Sequence, residues 1–224
     1  MLVMQYRFPP GKRPDVRQRM LAGGLQNFDR WQADGILSGH RIFISRYVDF
    51  NGWDMMAVLQ FRQYNDVARW RRVEATAPAG LAPEVLALAT TVETYPVDTL
   101  RYGASEDRPI HPVHFVTAYT LSASPDQYVQ YFDAYLKPQF EGWMREGVLS
   151  SYQLMMQRYP AARPWDVLIL LTYKDEENFG LRESVAAKVR GQLQDNAGWN
   201  TAGANGRRIS VEKQGIICDE LAIQ

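Results

Sequence analysis

Apolar positions in the chain alternate between strand-type and helix-type stretches in a repeating order. Residues 114–121 (HFVTAYTL) are a β-branched and aromatic run, and the Ser-Ala-Ser-Pro-Asp that follows lets Ser124 cap a helix with Pro125 in its first turn. Tyr128, Tyr131, Phe132, Tyr135, Leu136, Phe140 and Trp143 then recur at three- and four-residue steps, a helical stripe that Gly147 ends. Pro138 lies inside this helix and lacks a backbone donor, so a kink near Ala134 is expected. Residues 148–159 read as a strand, 160–164 as a turn and 165–173 as a second, strongly apolar strand. A helix over about 175–194, a Gly/Asn-rich loop holding Gly203-Ala-Asn-Gly206 and a last strand near 208–213 complete the order β-α-β-β-α-β.

The amino-terminal half has the same order. Residues 3–8 are its first strand and 14–33 its first helix, with Val16, Met20, Leu21, Leu25, Phe28 and Trp31 as the buried stripe. A hairpin of 40–47 and 54–61 follows, then a helix from Tyr64 to about 75, a stretch at 77–83 broken by two prolines, and a strand at 91–97. The likeness extends to residue identity. Residues 28–59 laid over 140–171, at a constant offset of 112 (140 − 28) and without a gap, match at ten of 32 positions, including Trp31/Trp143 and Trp53/Trp165. Average composition gives roughly two matches over such a window. The chain therefore reads as a first unit at 1–101, a linker at 102–112 and a second unit at 113–224.

A β-α-β-β-α-β unit folds as a ferredoxin-like α+β layer, a four-stranded antiparallel sheet with both helices on one face. In residues 166–173 both strand faces are apolar, Leu168 and Leu170 on one and Val167, Ile169 and Leu171 on the other, so the open face needs a second layer. The other copy supplies it. The duplicated unit, with a helix ending in Trp143-x-x-x-Gly147 and Pro138 within it, resembles the dimeric α+β barrel superfamily in a fused form. That resemblance implies two ferredoxin-like units whose sheets pack as an intramolecular α+β barrel, with four helices outside.

Composition narrows the partners. The 25 Lys and Arg balance the 25 Asp and Glu, leaving a formal charge of 0, and no basic run offers a nucleic-acid footprint. No stretch approaches the roughly 20 apolar residues of a membrane span, and the first residues do not read as an export signal, which points to a cytoplasmic protein without membrane partners. One cysteine, Cys218, excludes an internal disulfide.

Arg-Tyr before each hairpin and Trp-Asp after it suggest a cross-strand clamp of Arg46 with Asp54 and of Arg158 with Asp166. Because both copies carry it, it reads as scaffold, with Arg158 also a candidate to hold a ligand carboxylate. Chemistry is sought where the copies differ. His40 aligns with Tyr152, and His114 begins the second unit; either imidazole could move a proton near neutral pH. His111 and His114 do not form a metal pair, since residues three apart on a strand face opposite ways. Tyr119, Tyr131, Tyr135, Tyr152 and Trp143, with Met55, Met56, Met155 and Met156 nearby in the pattern, would line a pocket for a flat apolar ligand. The same residues also suit a dry core.

The resemblance adds expectations about cofactors. Haem-binding relatives use a histidine beyond the first strand of the carboxy-terminal copy, and none follows His114 here. Relatives resembling the EthD group carry a histidine before a helix proline, where this chain has Tyr135-Leu-Lys-Pro138. No cofactor is expected. Two functions lead: a cofactor-independent monooxygenase, cyclase or isomerase acting on an apolar or aromatic metabolite, or a non-catalytic ligand-binding or assembly module that could form a homo-oligomer; a haem-binding barrel ranks behind both.

Overall fold

In the computed structural model, which describes residues 1–63, 65–107 and 109–222 (Arg207 by backbone alone), strands and helices follow the duplicated order. Eight strands hydrogen-bond in the order β1-β3-β2-β8-β5-β7-β6-β4 and close into a barrel. Two compact units divide the chain, one of Met1–Val97 with the residues from Cys218 on, the other Asp98–Ile217.

The first unit starts with β1 (Leu2–Arg7), followed by α1 (Arg13–Arg19), a π-helical turn (Met20–Gly24) and α2 (Leu25–Ala33). The hairpin of β2 (Gly39–Ser45) and β3 (Met55–Gln60) leads to α3 (Asp66–Glu74) and α4 (Pro83–Leu86). Tyr64, where the sequence starts the second helix, lies outside the described residues, as does Arg108 of the expected linker. β4 (Thr91–Ala104) pairs with β1 and runs on past the end of this unit. Period-two alternation sorts β1 and β3 onto two faces: Met4, Tyr6, Met55 and Ala57 pack against Val16, Phe28, Trp31 and Trp70 of the helices, while Val3, Met56 and Val58 are buried on the other face.

The second unit repeats this with β5 (Val113–Leu121), α5 (Pro125–Tyr131), a π-helical turn (Phe132–Leu136) and α6 (Lys137–Arg145). β6 (Leu149–Gln157) and β7 (Val167–Tyr173) follow, then α7 (Glu176–Gly180), α8 (Arg182–Leu193), α9 (Ala197–Ile209) and β8 (Ser210–Glu220). Every residue of β7 is buried, as an apolar strand between β5 and β6 should be. Ser124 caps α5 in a reciprocal box with Gln127, and Gly147, at φ +82°, ends the helical stretch begun there.

The kink expected at Pro138 is the π turn at Phe132–Leu136, with Lys137 N–H reaching back to the Phe132 carbonyl. The first unit has its π turn at the same offset (132 − 20 = 112) although Gln26 stands where Pro138 would align. Proline alone therefore does not cause it; the wide turn belongs to the duplicated unit.

Three expectations are overturned. Leu21, expected in the buried stripe of the first helix, is exposed. Gly203 and Gly206 lie inside α9, not in a loop, and the last strand is Ser210–Glu220. Their lack of a Cβ is what lets α9 dock: a Cβ on Gly203 would stand 2.5 Å from the Tyr135 ring, and one on Gly206 2.8 Å from the Tyr131 hydroxyl. Asn196 caps the helix by accepting from Trp199 N–H.

The arginine–aspartate clamp is also absent. The hairpins place Ser45 opposite Asp54 and Gln157 opposite Asp166, one residue out of the expected register, with both amides bonded to the aspartate carbonyls at 2.9 Å. One step along a strand turns a side chain to the other face. Arg46 then meets Asp219 of β8 (2.8 Å) and Arg158 meets Asp98 of β4 (2.6 Å). The aspartates do something else in common. Asp54 N–H donates to the Tyr6 carbonyl while its carboxylate accepts from Phe8 N–H (2.8 Å), and Asp166 repeats this with Tyr119 and Leu121 (2.6 Å). Each aspartate pins the end of the neighbouring strand. Asp54 additionally holds Arg13 (3.2 Å) with both side chains largely buried.

Candidate functional site

Helix-side residues of the second unit build an aromatic compartment rich in tyrosine, whereas the helix-side rings described in the first unit are Phe28, Trp31, Phe61 and Trp70. α5 and its π turn present Tyr128, Tyr131 and Tyr135, β5 presents Tyr119, and α9 presents Trp199. At an offset of 112 the three helix tyrosines align with Val16, Arg19 and Gly23, so the first unit has no counterpart. Tyr131 and Tyr135 stack at 5.5 Å between ring centroids, Tyr135 stacks on Trp199 at 4.9 Å, and Tyr128 lies 6.0 Å from Tyr131. The Tyr135 carbonyl, in the π turn, accepts from both Gln139 Nε2 and Trp199 Nε1 at 3.1 Å, which ties α9 to the bulge. Such bulges occur often at functional sites.

The hydroxyls set the chemistry. Tyr119 donates to Glu212 Oε2 at 3.3 Å, and Glu212 itself is exposed. Tyr128 is fully buried and its hydroxyl meets no hydrogen-bond partner among the described residues. Burial raises all three phenols: Tyr131 is pushed up to about 12, while Tyr119, beside Glu212, and Tyr128 go higher still. They stay protonated at neutral pH and can serve as hydrogen-bond donors to an oxygen that gains negative charge.

The structure thus brings Tyr119, Tyr131 and Tyr135 together and spreads the other proposed site residues. Tyr152 and Trp143 lie on the same helix side but around Phe140, at 5.5 and 5.2 Å, and the Trp143 indole N–H is buried without a partner among the described residues. Burial also raises Tyr152. Arg158 is bound to Asp98 beyond the end of β6. His114, completely buried, is on the opposite face of the sheet with Nδ1 3.1 Å from Thr172 Oγ1, while His111 is exposed. His40 belongs to the first unit, with Nδ1 3.1 Å from Gln32 Oε1 and Nε2 3.5 Å from Asp29; burial lowers its pKa and Asp29 works against that. Neither histidine enters the aromatic compartment.

Sequence reasoning left out Tyr128, Trp199 and Glu212. Tyr128 stood in the helical stripe and was legible as a member of it. Trp199, Gly203 and Gly206 at four- and three-residue spacing were the signal for a helix with one small-residue side. Glu212 had no local signal, because its role depends on where β8 lies beside β5.

No described family and no curated protein matches the sequence. Solved structures of like fold do. The chain matches a candidate monooxygenase from Fusobacterium nucleatum at 12% identity and a TM-score of 0.61, covering 99% of this chain and 91% of that one. It matches an anthrone oxidase-like protein at 12% identity and 0.60, covering 99% and 90%. A chlorite dismutase from Candidatus Nitrospira defluvii is matched at 9% identity and 0.54, covering 99% and 90%. These likenesses concern fold. A haem, which the fold family implies in some members, does not fit the residues present: Phe132, Phe140 and Tyr152 pack mutually at 5.5–5.9 Å between helix and sheet, and no histidine points there.

Proposed function

Starting from the dimeric α+β barrel fold in single-chain form, which the chain shares with these structures, we propose that it is a small-molecule enzyme of the cofactor-independent oxygenase type. Its substrate is a flat aromatic metabolite with an acidic C–H or phenol, held at the Tyr119–Tyr131–Tyr135 edge of the second unit. The observation that carries this reading is a row of protonated phenols, one with a buried hydroxyl that has no partner among the described residues, ending on an exposed carboxylate. Unpaired buried polar groups of this kind are rare and cost about 1–3 kcal/mol, so a polar atom of a ligand is a reason for one to persist. The names of the monooxygenase and anthrone oxidase-like neighbours support the reaction class.

In this reading Glu212 accepts the proton, directly or through Tyr119, and the tyrosine hydroxyls stabilise the substrate oxyanion. The substrate carbanion is the reductant: an activated CH2 and O2 give C=O and H2O, with no other electron source. Anthrone tests it. Purified protein should consume one O2 per anthrone converted to anthraquinone without added metal or flavin, and Glu212→Gln should lower kcat by about 10²-fold. No rate above the uncatalysed oxidation sinks the proposal. Saturable anthrone binding without turnover instead favours the ligand-binding reading.

A further inference from the structure

A second constellation lies in the first unit. The start of α1 and the end of β2 border an open surface cleft of about 460 Å3. Arg13, Arg17, Arg46 and Asp219 line it, and Ile44, Val48 and Pro14 give it an apolar wall. Arg13 is held by Asp54 and by the carbonyl and hydroxyl of Ser45, so its guanidinium is fixed in place. Arg46 is fixed in the same way, its Nε and Nη2 on Asp219 Oδ1 at 2.9 and 2.8 Å. Arg17 is exposed and its guanidinium makes no hydrogen bond or ion pair among the described residues.

The charges do not cancel. Three guanidinium groups face two carboxylates, Asp54 and Asp219, which leaves 3 − 2 = +1. Nor is the arrangement a by-product of the duplicated scaffold. At an offset of 112, Arg13 and Arg17 become Pro125 and Val129, and only Arg46 has a basic counterpart, Arg158. We propose that this cleft binds a small amphipathic monoanion: a carboxylate seated on Arg17 beside the anchored Arg46, with its apolar body on Ile44, Val48 and Pro14. A single excess positive charge matches a carboxylate better than a doubly charged phosphate, and the planar guanidinium suits carboxylate geometry. The apolar wall has no use for a bare inorganic ion.

Benzoate is the probe, titrated into the full chain with backbone amide shifts as the readout. Benzoate should shift the amides of residues 13–17 and 44–48 saturably. Benzyl alcohol and inorganic phosphate should each bind at least about tenfold more weakly, and Arg17→Gln should weaken benzoate by about tenfold while the rest of the spectrum stays unchanged. Arg17 is exposed, so the variant tests binding and not folding. Absence of saturable shifts at these residues, or equal affinity in Arg17→Gln, overturns the site. Phosphate binding as tightly as benzoate overturns its amphipathic character. None of these results depends on the second unit's tyrosines, so this site and the proposed oxygenase can fail separately.

Discussion

Replacing Tyr128 with phenylalanine removes one oxygen and nothing else. The ring keeps its place against Tyr131 at 6.0 Å, and the atom lost is fully buried with no partner among the described residues. An unsatisfied buried hydroxyl costs about 1–3 kcal/mol relative to its hydrated state in the unfolded chain. Tyr128→Phe should therefore stabilise the ligand-free protein by about 1–2 kcal/mol. In a protein of this size each kcal/mol moves Tm by about 2–4 °C, so a rise of roughly 2–8 °C is expected, with a higher urea midpoint and an unchanged m-value. The gain should come with a loss. If the hydroxyl meets a polar atom of the substrate, the variant's Tm should rise less than the wild type's when anthrone is added, because stabilisation by ligand follows its affinity. A variant that is less stable than wild type without ligand refutes the reasoning, since it means that the folded protein already satisfies the hydroxyl.

Three further outcomes follow from the geometry. Gly203→Ala should destabilise the second unit by about 1–3 kcal/mol in urea, since the new Cβ would overlap the Tyr135 ring; a neutral result would mean that α9 is not docked there. Asp54→Ala should cost about 3–5 kcal/mol because it removes the carboxylate paired with the largely buried Arg13, whereas Asp166→Ala, which frees the Leu121 amide, should cost about 1–3 kcal/mol; equal losses would show that the ion pair contributes nothing. His40 is held below its usual range by burial, so between about pH 6.5 and lower values the unfolded chain takes up a proton that the folded chain does not. Stability should thus fall as pH drops below about 6.5, by less than about 1.4 kcal/mol per pH unit, and His40→Gln should flatten that slope in urea midpoints measured from pH 7.5 to 5.5.

Duplication made the fold legible. Ten identities at one offset, the Ser124 cap and the Pro138 irregularity are local signals, and each corresponds to a strand, a cap or a turn in the structure. What failed was set by neighbours far away in sequence. Arg46 and Arg158 find their partners, Asp219 and Asp98, on strands that a hairpin pattern does not include. Helix α9 depends on the Tyr131 and Tyr135 rings, against which its glycines lie flat; taken alone, Gly203-Ala-Asn-Gly206 has low helix propensity and reads as a turn. For the same reason the tyrosine edge was half visible. Its helix members share a stripe, but Glu212 joins them only through the sheet.

The last strand also bears on how the protein is made. Leu221 N–H bonds to the Ile42 carbonyl, and Glu220 pairs with Arg41 across 179 residues of sequence. During synthesis, β2 waits with an open edge until β8, with Glu220 lying 179 residues beyond Arg41, has left the ribosome. Closing so long a loop is slow, and an open apolar edge invites pairing with another chain. Arg41 beside that edge thus has a task on the nascent chain before it has one in the native state, as a charge that discourages misassembly until Glu220 arrives.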